Sequence, residues 1–218
     1  MAKRERCIYC GADEDLTVDH VPPKLLLMRP YPPNLITVPA CRTCNQSFQK
    51  NDEYLRATLS PDLRVTRNLA AQSNLDAVWR SLRKPEARDF AEYLGSKASL
   101  TTILNQFGTP MGQVMELDYP RLECAGLRLV RGLYFSEMGT PLPVEAKVKV
   151  GFTMGLRAKD ESTLTIARVM MTLPDHRERS FGTAFSYMVA IGPTASVWFM
   201  MLYDYFFWCG TVDLTGGQ

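Results

Sequence analysis

Apolar residues recur at three- and four-residue spacings through the middle of the chain. Leu75, Val78, Trp79 and Leu82 make one stripe, and Phe90, Tyr93 and Leu94 a second, the period of helices with one buried face. Pro85 opens the second helix where its missing N–H is harmless, and Gly95 is placed to stop it. Residues from about 61 to 110 therefore read as helical. After a short strand at Gln113–Leu117, Asp118 caps a longer helix with Pro120 in its first turn and Gly139 just past its end. Its inner stripe is Leu122, Gly126, Leu129 and Leu133. The period then changes to two. Ala146–Phe152 alternates strictly, as a half-exposed strand does. Leu164–Leu173, Thr183–Ile191 and Val197–Val212 are further β-prone segments. The last is apolar on both faces and is expected to lie centrally in a sheet.

Residues 1–60 break this pattern, with few long apolar runs, six prolines and two cysteine pairs. The predicted class is α+β. A small N-terminal unit spans 1–60, a helical connector 61–110, and a C-terminal α+β domain with a mainly antiparallel sheet 111–218. At 218 residues and 46% hydrophobic, the chain can bury a real core, so a metal need not hold the whole of it together.

Charge narrows the picture little, since the formal balance is only +2. Arg64, Arg67, Arg80, Arg83, Lys84 and Arg88 face only Asp76 and Glu86 in their stretch. Either a phosphate-facing surface or a solvated helix face would look like this. No apolar run follows the basic N-terminus, and Val197–Cys209 is too short to span a bilayer as a helix. A cytoplasmic protein without a membrane partner is expected. Six cysteines, four of them in tight pairs, fit metal ligands in a reducing compartment better than a disulfide framework. Cys124 and Cys209 lie outside the pairs and read as buried thiols.

The pairs are Cys7 with Cys10 and Cys41 with Cys44, thirty residues apart. Zn²⁺ takes four thiolates in a tetrahedron, and each Cys-x-x-Cys turn supplies two of them. The stretch between carries chemistry of its own. Asp19 and His20 are adjacent in an extended segment marked by Val18 and Val21 and ended by Pro22 and Pro23. Asn45 follows the last cysteine, where a helix through Phe48, Tyr54 and Leu55 should begin. In a strand–turn–strand–helix unit, oxygens of Asp19 and Asn45 would converge on one hard cation. The imidazole of His20 would stay free to take a proton from water.

The order CIYC, VDHVPP, NLITVPACRTCN resembles the HNH endonucleases, the ββα-metal nucleases, in the subgroup with two zinc-binding cysteine pairs. The resemblance covers residues 7 to about 56. It implies a zinc-bound ββα unit, with His20 as general base and Asp19 and Asn45 holding a catalytic Mg²⁺ or Mn²⁺. Asn34, fourteen residues after His20, looks like the family's middle Asn, which orients the base. The implied activity is endonucleolytic cleavage of DNA, RNA being an admissible substrate, with 3′-hydroxyl and 5′-phosphate products. The C-terminal domain would select the substrate, bind a protein partner or mediate self-association. A non-catalytic zinc module that binds nucleic acid or protein is the rival reading. Weaker features read as structural. Asp52 and Glu53 are expected on a solvated face, His176 in a polar loop, and Arg128–Phe135 on a core helix with an outward basic edge.

Overall fold

The computed structural model describes residues 6–143, 145–155, 172 and 175–215. It is α+β with antiparallel sheets. Strands β1 (Leu16–Val21) and β2 (Ile36–Cys41) form a hairpin in which His20 stands opposite Thr37 and Asp19 opposite Val38. Helix α1 (Arg42–Leu59) follows directly, and the Cys41 thiol caps it by accepting the Cys44 N–H. The N-terminal unit is thus a hairpin and a helix joined end to end.

Helix α2 (Leu69–Leu82) starts at Asn68, whose side chain accepts the Ala70 and Ala71 N–H groups. Its buried positions are Ala70, Ala71, Asn74 and Val78, while Trp79 is 52% exposed. The inward stripe is turned one residue from the expected one. Asn74 takes an inner position because its amide donates to the Leu26 carbonyl and the Tyr203 hydroxyl. Helix α3 (Arg88–Ser96) follows a 3₁₀ turn at Pro85–Ala87.

The helical expectation ends too late. After α3 the chain enters a two-stranded hairpin, β3 (Ala98–Leu104) and β4 (Pro110–Met115). Asn105 makes its turn by accepting the Phe107 and Thr109 N–H groups, and Gly108 takes a φ of 78°. The strand expected at Gln113–Leu117 begins three residues earlier.

Helix α4 (Tyr119–Met138) matches its expectation at both ends, with Asp118 accepting the Arg121 N–H and Gly139 left-handed at φ 69°. Leu122, Gly126, Leu129 and Leu133 are all buried. Two of its glycines face opposite partners. A Cβ at Gly126 would sit 2.4 Å from the Trp208 ring, and one at Gly132 only 2.5 Å from Val21 Cγ2. Helix α4 therefore lies between the N-terminal hairpin and the large sheet.

That sheet is antiparallel in the order β5 (Lys147–Met154), β9 (Phe206–Asp213), β8 (Ala195–Leu202), β7 (Phe185–Ile191), β6 (Asp175–Phe181). The apolar run at Val197–Val212 is two interior strands, not one. They reverse at Tyr203 and Asp204, both with positive φ. The tight turn is anchored where Asp204 accepts the Asn68 amide. The segment holding His176 is edge strand β6 rather than a loop, though His176 itself is exposed. The segment predicted at Leu164–Leu173 lies outside the described residues. Cys124 is exposed and Cys209 half-buried, so neither is the buried thiol expected.

One buried cluster runs from Ile8 and Val21 through Tyr54, Val78, Leu129 and Val130 to Trp198 and Trp208. Residues from all three of the expected segments contribute to it.

Candidate metal and nucleic-acid site

The thiols of Cys7, Cys10, Cys41 and Cys44 lie within 4.8 Å of one another, and the Cys10 and Cys41 sulfurs are 3.6 Å apart. A tetrahedral zinc with Zn–S bonds of about 2.3 Å needs sulfurs about 3.8 Å apart. The donor set fits that ion. Local turns set the spacing: Cys7 accepts the Gly11 N–H while Gly11 takes a φ of 79°. The electrostatics fit as well. Burial pushes the Cys7 thiol up, but backbone N–H groups around it outweigh burial and bring it to about 7. Burial and the neighbouring thiols push Cys44 strongly up. A bound dication would resolve this imbalance by stabilising all four as thiolates.

Strand alternation separates the two residues that stand side by side in sequence. Thr17, Asp19 and Val21 point from β1 toward the helices, while Val18 and His20 point to the open face with Thr37 and Pro39 of β2. A hollow of about 540 Å³ lies beside the hairpin, lined by Thr17, Val18, Thr37 and Val38 on it and by Phe135, Gly139 and Pro141 beyond it, and His20 is not among its lining residues. His20 is half-buried. Burial and the charge of Lys24 hold its imidazole below the ordinary histidine value, against the opposing pull of Asp19. Lys24 and Arg29 both lie over the Tyr31 ring, at 5.4 and 5.3 Å, and both cations are exposed. The loop after His20 therefore carries two solvent-facing cations.

Asp19 has a different setting. Only 2% exposed, it accepts four hydrogen bonds. Its Oδ1 takes the His20 N–H at 2.8 Å and an Arg128 Nη2 donor. Its Oδ2 takes the Tyr9 hydroxyl at 2.7 Å and Arg128 Nε at 3.0 Å. Arg128, from α4, also donates Nη1 to both oxygens of Asp52, at 2.5 and 2.6 Å. Its guanidinium lies 4.5 Å from the centre of the Phe48 ring, which packs edge-on against Tyr9. Burial pushes the Asp52 carboxyl up to about 6, against the pull of Arg128. The same two carboxylates push Arg128 further up despite its burial.

Asn45 does not join this group through its amide nitrogen, which donates to Thr17 Oγ1 and the Val18 carbonyl. Asn34 donates to the Ser180 carbonyl, tying the hairpin loop to β6. Glu53 is exposed, as expected, but Asp52 is buried and ion-paired. Arg128 belongs to no outward basic edge. In the basic stretch, Arg64 is paired with Asp62 and Arg88 with Glu92.

Tested against a divalent ion, these donors do not fit in this arrangement. Every lone-pair direction of Asp19 is met by a hydrogen-bond donor, and a guanidinium stands where the second positive charge would go. Sequence reasoning missed Tyr9, Asp52 and Arg128. A signal for Asp52 existed: Asn45, Phe48 and Asp52 follow at three- and four-residue spacings on one face of α1. Nothing in the sequence paired Arg128 with it.

No helix among the described residues is long and apolar enough to cross a membrane. Compared with family models, curated proteins and solved structures, the chain matches none.

Proposed function

We propose that the protein hydrolyses phosphodiester bonds of nucleic acid, DNA first, as an HNH-type endonuclease with His20 as general base and the four cysteines holding a structural zinc. The observation that carries this reading is the setting of His20. It is half-buried, biased toward the neutral form, on the open face of a cysteine-stapled hairpin, with Lys24 and Arg29 in the loop beside it. A neutral imidazole accepts a proton from water as the water oxygen bonds to phosphorus. The P–O3′ bond breaks, and the departing oxygen takes a proton from solvent. Lys24 and Arg29 meet the charge gathering on the phosphate oxygens. Asn34, bound to β6, steadies the loop that carries both cations. The Mg²⁺ or Mn²⁺ that the HNH resemblance implies is compatible with Asp19 and Asn45 only if Arg128 releases Asp19.

The test is cleavage of supercoiled plasmid by zinc-loaded protein, with and without added Mg²⁺ or Mn²⁺, beside His20→Ala. Cleavage by the native protein that the variant loses supports the reading, and binding without cleavage by either overturns it. The engagement of Asp19 favours one second reading, a zinc-stapled module that binds nucleic acid without cutting it. That module would shift a labelled duplex in a gel and leave the duplex intact.

A further inference from the structure

Asp19 and Asp52 come from β1 and α1, and a single guanidinium from α4 lies between them. The three side chains are 3%, 9% and 5% exposed. Arg128 presents its donors as a planar fork, Nε and Nη2 to Asp19 and Nη1 to Asp52, a match that an ammonium cannot reproduce. The cluster also has an unusual charge balance. Two carboxylates share one cation, so a net negative charge stays buried, and buried charge is costly unless fully compensated. Tyr9 and the His20 N–H donate into the same carboxylate and relieve part of that excess.

We propose that Arg128 is the resident cation of this site and excludes a divalent ion from Asp19. The position between hairpin and helix is filled from within the chain, by the helix that also packs on the large sheet. While the fork is in place, Asp19 has no lone pair to offer, and the guanidinium repels a second cation at contact distance. Arg128 also acts as a positioning residue. It fixes the Asp19 carboxylate, which in turn holds the backbone N–H of His20 at 2.8 Å. The consequence for cleavage rests on the hydrolase reading: divalent-dependent chemistry at Asp19 would need α4 to withdraw Arg128. The exclusion itself stands on the ion-pair geometry.

The experiment is a Mn²⁺ titration of zinc-loaded protein, followed by the paramagnetic resonance of free Mn²⁺. Four proteins are compared: native, Asp19→Asn, Arg128→Lys and Arg128→Met. The native protein and Asp19→Asn should bind Mn²⁺ equally weakly. Arg128→Lys keeps the charge and should stay within a few-fold of native. Arg128→Met removes the charge, leaves two carboxylates facing one space, and should gain a site at least tenfold tighter. Adding Asp19→Asn to Arg128→Met should remove that site. A Mn²⁺ site in the native protein that Asp19→Asn abolishes overturns the proposal, and this comparison needs no Arg128 variant to fold. So does a folded Arg128→Met protein with native Mn²⁺ affinity. Plasmid cleavage is scored separately. Absence of cleavage in every protein sinks the hydrolase reading and leaves the Mn²⁺ pattern to decide the role of Arg128.

Discussion

At His20, sequence neighbours and spatial neighbours pull in different directions. Asp19 adjoins it in the chain, yet strand alternation sends the two side chains to opposite faces. Burial and Lys24 dominate its environment, and both favour the neutral ring. Its folded pKa should therefore lie below the ordinary value of about 6.5. The sign follows: between those two values the unfolded chain binds the proton and the folded chain does not. This group thus costs stability as pH falls through about 6.5 and costs nothing above it. Proton resonances of the imidazoles will read this directly, because His176 is the only other histidine. Lys24→Gln should move the His20 titration upward, and a midpoint that stays put would show that Lys24 does not act on the ring. His20→Ala should lower cleavage by on the order of 10²–10⁴-fold with zinc content and folding unchanged. Cleavage at the native rate would remove His20 from the mechanism.

At the scale of elements, α4 was the most legible part of the chain, because its ends are written in local chemistry, whereas α1 begins at Arg42, three residues before the start expected at Asn45. Asp118, Pro120 and Gly139 bracket α4 as capping rules require, and its inner stripe follows the helical period. What the stripe could not tell is that two of its glycines are contact points rather than loose ends. Gly132→Ala would press a methyl into Val21 and should destabilise the protein by about 1–3 kcal/mol. A urea midpoint equal to that of the native protein would contradict this packing. Cys41 serves two ends at once, as one of four clustered thiols that could hold zinc and as cap of α1. Serine caps a helix well but is a poor zinc ligand. Cys41→Ser should therefore lower copurified zinc well below one equivalent while α1 still begins at the same residue. Metal analysis and backbone chemical shifts separate the two roles. Zinc retained at the native level would rule out this ligand set.

For the molecule as a whole, the composition suggested a small metal-bound unit attached to a larger domain, and the packing joins them. Helix α4 presses Gly132 onto the hairpin, Gly126 onto the sheet, and Arg128 between Asp19 and Asp52. A chain ending near residue 110 would lose the Arg128 guanidinium of that cluster and the far side of the continuous core. Leaving one buried partner of an ion pair uncompensated typically costs 3–5 kcal/mol, about half the stability of an ordinary domain. Such a fragment should show no dispersed amide spectrum even with zinc, and a folded fragment would restore the picture of separable domains. The sequence by itself determined what depends on near neighbours: the cysteine turns, the helix caps, the alternation of β5, and the strand carrying Asp19 and His20. Tertiary structure alone decided which partner each polar group met. Asp52 and Arg128 are 76 residues apart, and no local period reports a contact made across that distance. The same holds for Trp79, left exposed because Asn74 found its partners in the core, and for Asp19, whose carboxylate took a guanidinium because folding brought α4 to it.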